Sequence, residues 1–391
     1  MSDLLIVGAG LGGLTAALAC VAQGVSVTVL EQAPTLGEVG AGVQISANGN
    51  RVLHGLGLAS ALEAVAFRPE GGEMRHFQTG ETLMARPLGK AAEERFGFPY
   101  YHLHRADFHR VLSEALEAQA PGTVHLNAKV IDITQSENAV EAHTENGETF
   151  RAGGLVGADG IHSQVRTHLF GADAPRFTGC VAWRTTIPVD ALPPGHVRPV
   201  SSNWLGRHGH FVHYYVRRGE LVNCVGCIER DEWLAESWST EGDRADFARD
   251  FEGWHPALHE LINRADRCFR WGLFDRDPMP HWSDGRITLL GDACHPMLPF
   301  MAQGAVMSIE DGYVLSRCVA EGTRRGRPLE DSFTAYETFR RERTAEVQAM
   351  SRRNKTLFHD VDNAEEEKLS GHRSAHEWLY GYDPTKFDYA A

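Results

Sequence analysis

Lysine is scarce in this chain, five residues against 33 arginines, and acidic side chains outnumber basic ones, 52 to 38, for a net charge of −14. Such a field, without a basic stripe, excludes the electrostatics of a nucleic-acid binder. Cysteine is also sparse. Seven in 391 residues, an odd number, suits a reducing cytosol better than a disulfide framework, and the expected location is cytoplasmic. Cys224-x-x-Cys227 has no second cysteine pair nearby, and in an extended segment its thiols point apart, so no metal site is expected. The chain has no G-x-S-x-G elbow and no P-loop, which removes support for a serine hydrolase or an NTPase. An apolar share of 42% and a charged share of 23% are those of an ordinary globular protein, and the length suggests two or three domains.

Charge is missing altogether from residues 4–22, where Thr15 is the one polar side chain. By length this stretch could pass for a membrane span or the apolar part of a signal peptide. Four glycines interrupt it (Gly8, Gly10, Gly12, Gly13), and no lysine or arginine precedes it. A membrane is therefore not an expected partner.

What the stretch does contain is a short apolar strand over residues 4–7, a glycine turn, a helix over 14–23 and a second strand over 25–30 ending at Glu31. Gly8-Ala9-Gly10-Leu11-Gly12-Gly13 is a G-x-G-x-x-G motif after a strand and before a helix. Glycines there permit the tight turn and let a diphosphate approach the backbone, whose helix N-terminus favours negative charge. Glu31, about twenty residues on, can accept hydrogen bonds from ribose hydroxyls. The motif alone does not separate FAD from NAD.

Further on, the glycine-rich segment 37–43 reads as a loop close to a ligand, and a helix opens at Asp107 as N-cap and runs to about residue 118. Residues 124–133 and 140–144 alternate as a meander, and 155–157 form another buried strand. From about residue 177 the pattern becomes β-rich (180–189, 210–216, 221–228), followed by a helical stretch over 244–265. An apolar strand returns at 287–290 and a helix at 304–321, and the last fifty residues are helical and charged. The nucleotide-type segments are thus 1–72, 101–177 and 271–345. Segments 73–100 and 178–270 form a second, substrate-side unit, and 346–391 is a tail.

Two weaker signals follow apolar strands: Gly157-Ala158-Asp159-Gly160 and Gly291-Asp292-Ala293. Each alone is most simply a turn. The second sits where ligands of open α/β sheets bind, with a helix start at Gly304 whose dipole can face an electron-rich ring. In this order and at these separations, with Glu31, they resemble the single-component FAD-dependent aromatic hydroxylases. The likeness covers about residues 4–345 and includes Gly37–Gly42, His104-Arg105-Ala106-Asp107, His295-Pro296, Gln303-Gly304 and Ile309-Glu310-Asp311. The tail Trp378-Leu379-Tyr380-Gly381-Tyr382 is similar to that of the salicylate hydroxylase, 3-hydroxybenzoate 6-hydroxylase and 6-hydroxynicotinate 3-monooxygenase subgroup.

The resemblance implies an α/β architecture, a Rossmann-like FAD-binding domain with an inserted β-rich substrate domain and a helical C-terminal segment. It implies FAD as cofactor, NAD(P)H as co-substrate with NADH favoured, O₂, and a small phenolic or hydroxypyridine carboxylate. That substrate would be hydroxylated through a C4a-hydroperoxyflavin, with or without decarboxylation, by a monomer or homodimer. Gly8, Gly10, Gly12, Gly13, Glu31 and Gln32 would hold the ADP half. Arg105, Asp159, Asp292, Gly304 and Ala305 would hold the remainder, and Pro299 and Phe300 would line the substrate. The ring must be activated by a base suited to a phenolic proton. His210 and Tyr214, four apart on one strand and hence on one face, are the candidates for base and substrate anchor, where the subgroup also has His and Tyr. Phe300 departs from the pattern, since several relatives carry His there. Arg184 reads more simply as a structural ion-pair partner than as a flavin contact. A second reading keeps the flavin but makes the chain an oxidase, a dehydrogenase or a tailoring monooxygenase for a larger aromatic metabolite. A third makes it a flavin-binding sensor.

Overall fold

The computed structural model of the chain describes residues 2–37, 41–231, 240–363, 366–387 and 389. Glu38, Val39 and Gly40 of the glycine-rich segment lie outside the described residues. The uncharged opening stretch divides into a strand, Ser2–Val7, and a helix, Leu11–Ala22. Parallel neighbours flank the strand on both sides, and Leu4, Leu5 and Ile6 are buried. A parallel strand covered on both faces has no place for charge, which explains the composition without a membrane. The helix starts three residues before the periodicity suggests, because Gly12 and Gly13 belong to its first turn rather than to the loop. No helix among the described residues is long and apolar enough to cross a membrane.

In the first sheet the parallel strands run in the order Ile287–Leu289, Thr149–Gly157, Ser2–Val7, Val27–Leu30, Val124–His125. Val130–Gln135 and Val140–Thr144 extend it antiparallel from Thr149–Gly157. Register decides what this sheet is for. Val7 lies opposite Gly157, and Gly157 opposite Leu289. The turns that follow, at Gly8, Ala158 and Leu290, therefore open along one carboxyl edge, where open α/β sheets bind ligands.

The second sheet has eight strands, two of them, Gly71–His76 and Thr82–Pro87, contributed before the chain returns to the first sheet. Its centre is Arg176–Pro188, Leu221–Glu229 and Gly209–Val216, paired antiparallel. The helical stretch expected over 244–265 is two helices, Arg244–Asp250 and Pro256–Asn263. Pro256 cannot continue a helix but opens one well. Phe247 on the first of them stacks on Trp183 of the sheet at 5.0 Å. The helix expected to open at Asp107 is Arg105–Gln119, with His104 as N-cap. Asp107 in its first turn instead receives Arg217 Nε at 2.8 Å.

Two helices tie the halves together. Gly304–Arg324 packs on Leu11–Ala22 so closely that a Cβ on Gly312 would stand 2.8 Å from the Ala16 backbone nitrogen. Leu329–His359 lies along it and reaches the second sheet. Between these helices Arg340, fully buried, bridges Glu310 and Asp311 at 2.7 Å each.

Candidate functional site

A cavity of about 440 Å³ runs from the glycine turn of the first sheet to the strand Gly209–Val216 of the second. Beside the glycine turn, Glu31 is fixed by the backbone N–H groups of Ala9 and Ala33, each at 2.8 Å. Each oxygen keeps a lone pair for a ribose hydroxyl. Gln32 is exposed beside it. The glycines divide by role. A Cβ on Gly13 would sit 2.0 Å from Gly8 O, so that glycine serves packing of helix on turn. A Cβ on Gly10 would meet nothing within 4 Å, yet Gly10 lines the cavity. Its bareness serves no protein contact and leaves room for a ligand.

In the middle of the cavity stand Arg105 and Asp292. Asp292 is exposed on the cavity wall. Burial lifts its pKa, against the opposing pull of His295 and Arg105. Burial lowers that of Arg105, with Asp292 acting the other way. Gly304 and Ala305 bring the N-terminus of a long helix to the same wall, with no acidic residue in its first turn. Arg184 corrects the ion-pair expectation. No carboxylate pairs with it among the described residues, its guanidinium lies over Trp271 at 5.0 Å, and its buried Nε has no partner. Burial, then the neighbouring Arg105, lower its pKa to about 10. An unsatisfied buried guanidinium, a helix N-terminus and a bare glycine turn on one cavity fit the expected FAD, whose diphosphate and ring oxygens are acceptors. Asp159 is committed elsewhere. Its oxygens take Ser163 Oγ at 2.5 Å and the N–H groups of Gln164 and Val165, capping the helix Gln164–Phe170.

At the far end His210 and Tyr214 share one face of their strand and both line the cavity. His213 and Tyr215 point to the other side, where His213 accepts from Trp204 Nε1 at 3.0 Å and Tyr215 Oη donates to Val197 O. Burial raises the pKa of Tyr214, so it remains a phenol. Phe300 meets the His210 ring edge-on at 4.9 Å, and Phe358 packs on it at 5.1 Å. Pro299 lies on the same wall.

The sequence reading did not find the group that engages His210. His210 Nδ1 lies 2.8 Å from Nε2 of His359, and His359 Nδ1 lies 3.0 Å from Glu229 Oε1. Glu229 keeps its charge, because the hydrogen bonds from His359 and His208 outweigh burial and hold its pKa below the usual carboxylate value. A carboxylate only accepts, and burial lowers the pKa of His359 so that its ring is neutral; its one proton then sits on Nδ1 and Nε2 is bare. His210 must then carry its proton on Nδ1, which leaves its Nε2 bare on the cavity side. Burial, then His359, push the His210 pKa well below the ordinary value, so the ring is neutral at neutral pH.

The Cys224–Cys227 pair behaves as expected of a strand, and both are buried free thiols whose pKa values burial raises.

Comparison with known proteins places the chain in a family. The profile of a family described as an FAD binding domain matches residues 1–352. The chain is 38% identical to a 3-amino-4-hydroxybenzoate 2-monooxygenase of Streptomyces platensis over 390 residues, 97% of this chain and 96% of the relative. It is 36% identical to a 6-hydroxynicotinate 3-monooxygenase of Pseudomonas fluorescens, over 97% and 94% of the two chains. A salicylate hydroxylase substrate complex superposes with a TM-score of 0.84 at 25% identity, covering 98% and 96%.

Proposed function

The chain belongs to the FAD-binding family of flavoprotein aromatic-ring monooxygenases, and from that premise we propose that it hydroxylates a small hydroxybenzoate or hydroxypyridine carboxylate with NADH and O₂. The relatives named for 3-amino-4-hydroxybenzoate, 6-hydroxynicotinate and 3-hydroxybenzoate support that substrate class. The observation that carries the reading is His210 on the cavity wall with its Nδ1 engaged by His359 Nε2 at 2.8 Å, which leaves Nε2 for the substrate. Bound FAD supplies hydride acceptance and oxygen activation, and the electrophile that results needs an electron-rich ring. His210 Nε2 provides that electron density by taking the phenolic proton. Tyr214, kept protonated, orients the ring as a hydrogen-bond donor.

The substrate carboxylate binds Arg86. This arginine lines the cavity, donates to Tyr380 Oη at 3.2 Å, and has no carboxylate within ion-pair distance among the described residues. Phe300 and Phe358 wall the site against water around the base. Gly10, Glu31 and Gln32 hold the ADP half of FAD. Arg105, Asp292, Arg184, Gly304 and Ala305 hold the rest. Asp159 shapes the turn beside them. The enzyme works in the cytoplasm, as a monomer or homodimer.

The test is a panel of phenolic and hydroxypyridine carboxylates, scored by stimulated NADH oxidation, O₂ uptake and product mass. One extra oxygen in a product from this class is the expected result. The absence of aromatic-dependent O₂ uptake across the panel would overturn the reading in favour of a dehydrogenase or an enzyme for larger aromatic metabolites.

A further inference from the structure

We propose that His210, His359 and Glu229 form a proton relay that carries the substrate's phenolic proton from the cavity to solvent and fixes His210 in the tautomer that can accept it. The proposal rests on the reading of His210 as the base and adds two residues to it.

The geometry is continuous. His210 is 3% exposed, and protein packs against its Nδ1 side, with His359, Phe300 and Phe358 around the ring. Its Nδ1 meets His359 Nε2 at 2.8 Å, and His359 Nδ1 meets Glu229 Oε1 at 3.0 Å. Glu229 is one-third exposed, and its other oxygen meets the exposed His208 at 3.1 Å. The chain of donors and acceptors thus begins at the cavity and ends at the surface without a gap. When the substrate O–H bond breaks, its proton joins His210 Nε2 as the Nδ1 proton passes to His359 Nε2. The His359 Nδ1 proton passes in turn to the Glu229 carboxylate, and from there to water. One proton leaves and one negative charge stays on the substrate oxygen. Reprotonation of the product oxygen runs the relay backwards and restores both tautomers.

Other groups face the relay. Lys355 lies 3.7 Å from Glu229 and donates to Thr178 O at 2.9 Å. The Cys180 thiol is beside it, its pKa pushed up to about 11 by burial. Cys180, Glu229 and His359 lie close enough together to ligate a cation. A protonated thiol and an ammonium at that spot oppose one. The aromatic rings of Phe300 and Phe358 close the remaining sides of His210.

The experiment uses the FAD-loaded enzyme with ¹⁵N-labelled histidine. Long-range ¹H–¹⁵N spectra should show Nδ1–H tautomers at both His210 and His359. Glu229→Gln keeps the side-chain shape but offers an amide that can donate as well as accept, so both tautomers should become mixed. Turnover on the panel substrate should fall about 10- to 100-fold with FAD content unchanged, and its pH profile should move to higher pH. Glu229→Asp should restore the tautomers in part. Nε2–H at His210 in the parent enzyme, or parental tautomers and pH profile in Glu229→Gln, would overturn the relay. A parallel His210→Asn variant separates the two readings. If it turns over normally, the base assignment falls. If it is slow while Glu229→Gln and His359→Gln are not, the relay alone falls.

Discussion

Gly10 offers a substitution whose effect on the protein and on its cofactor can be calculated separately. It is the N-cap of the helix Leu11–Ala22, with φ −70° and ψ −179°, a conformation that alanine adopts without strain. Alanine there gains about 0.4–1 kcal/mol by restricting the unfolded chain and loses about 0.5–1 kcal/mol as a poorer N-cap. Unfolding entropy of about 2.1 cal/mol/K per residue, taken over 391 residues, is about 0.8 kcal/mol/K. The apoprotein should therefore melt within about 1 °C of the parent. The new methyl meets no protein atom within 4 Å, but it enters the space where the diphosphate approaches the turn. Overpacking of about 1–3 kcal/mol corresponds to roughly 5- to 150-fold weaker FAD. Flavin fluorescence titration of the apoprotein reads the second quantity and a thermal melt the first. Gly13→Ala is the contrast, because its Cβ would lie 2.0 Å from a backbone oxygen and must disturb the fold itself. Unchanged FAD affinity in Gly10→Ala, or an apoprotein melt as low as that of Gly13→Ala, would refute the assignment of this turn to the cofactor.

Glu31→Ala should lose FAD on gel filtration while the apoprotein stays folded, and full flavin occupancy would remove Glu31 from the ribose site. His210→Ala should retain FAD and slow hydroxylation about 10²- to 10⁴-fold while substrate-stimulated flavin reduction, followed by stopped flow, changes little. Equal slowing of both steps would argue against a base. Arg340→Met leaves the carboxylates of Glu310 and Asp311 buried with one fewer cation. A loss of about 3–5 kcal/mol is expected, or about 4–6 °C in the melting temperature. For Glu310, Arg343 and Arg340 overcome burial and hold the pKa low, and for Asp311 His295 and Arg340 do so. Their contribution is therefore complete above the ordinary carboxylate range and is lost as pH falls through the depressed values. In Arg340→Met that acid loss should set in at higher pH, and a variant with parental acid stability would contradict it.

Local pattern was enough for the opening unit of the first sheet because its information is local. The uncharged strand, the glycine turn, the helix and Glu31 fall within the first 31 residues, and each requirement can be read from its neighbours. The turns at Asp159 and Asp292 were ambiguous one at a time. What unites them is the register Val7–Gly157–Leu289, a long-range pairing that no single window contains. Element ends were less legible, because ends are set by backbone packing. Asp107 has the composition of an N-cap, yet the helix begins two residues earlier and Asp107 is taken by Arg217, 110 residues away.

The far end of the cavity shows where local reasoning stops. The two-residue strand period placed His210 and Tyr214 on one face, as observed, and the resemblance singled out Phe300 as the missing imidazole. Nothing near His210 in the chain points to its real partner. His359 is 149 residues away, at the last turn of a helix whose apolar face is dictated by the first domain's long helix, and Glu229 is a further strand end. A buried imidazole nevertheless needs a partner for its N–H. With an apolar ring at position 300, that partner comes from another element packed on the strand. The tautomer of His210 is thus decided by a carboxylate two hydrogen bonds away, which makes the chemistry of this site a property of the tertiary fold rather than of any motif.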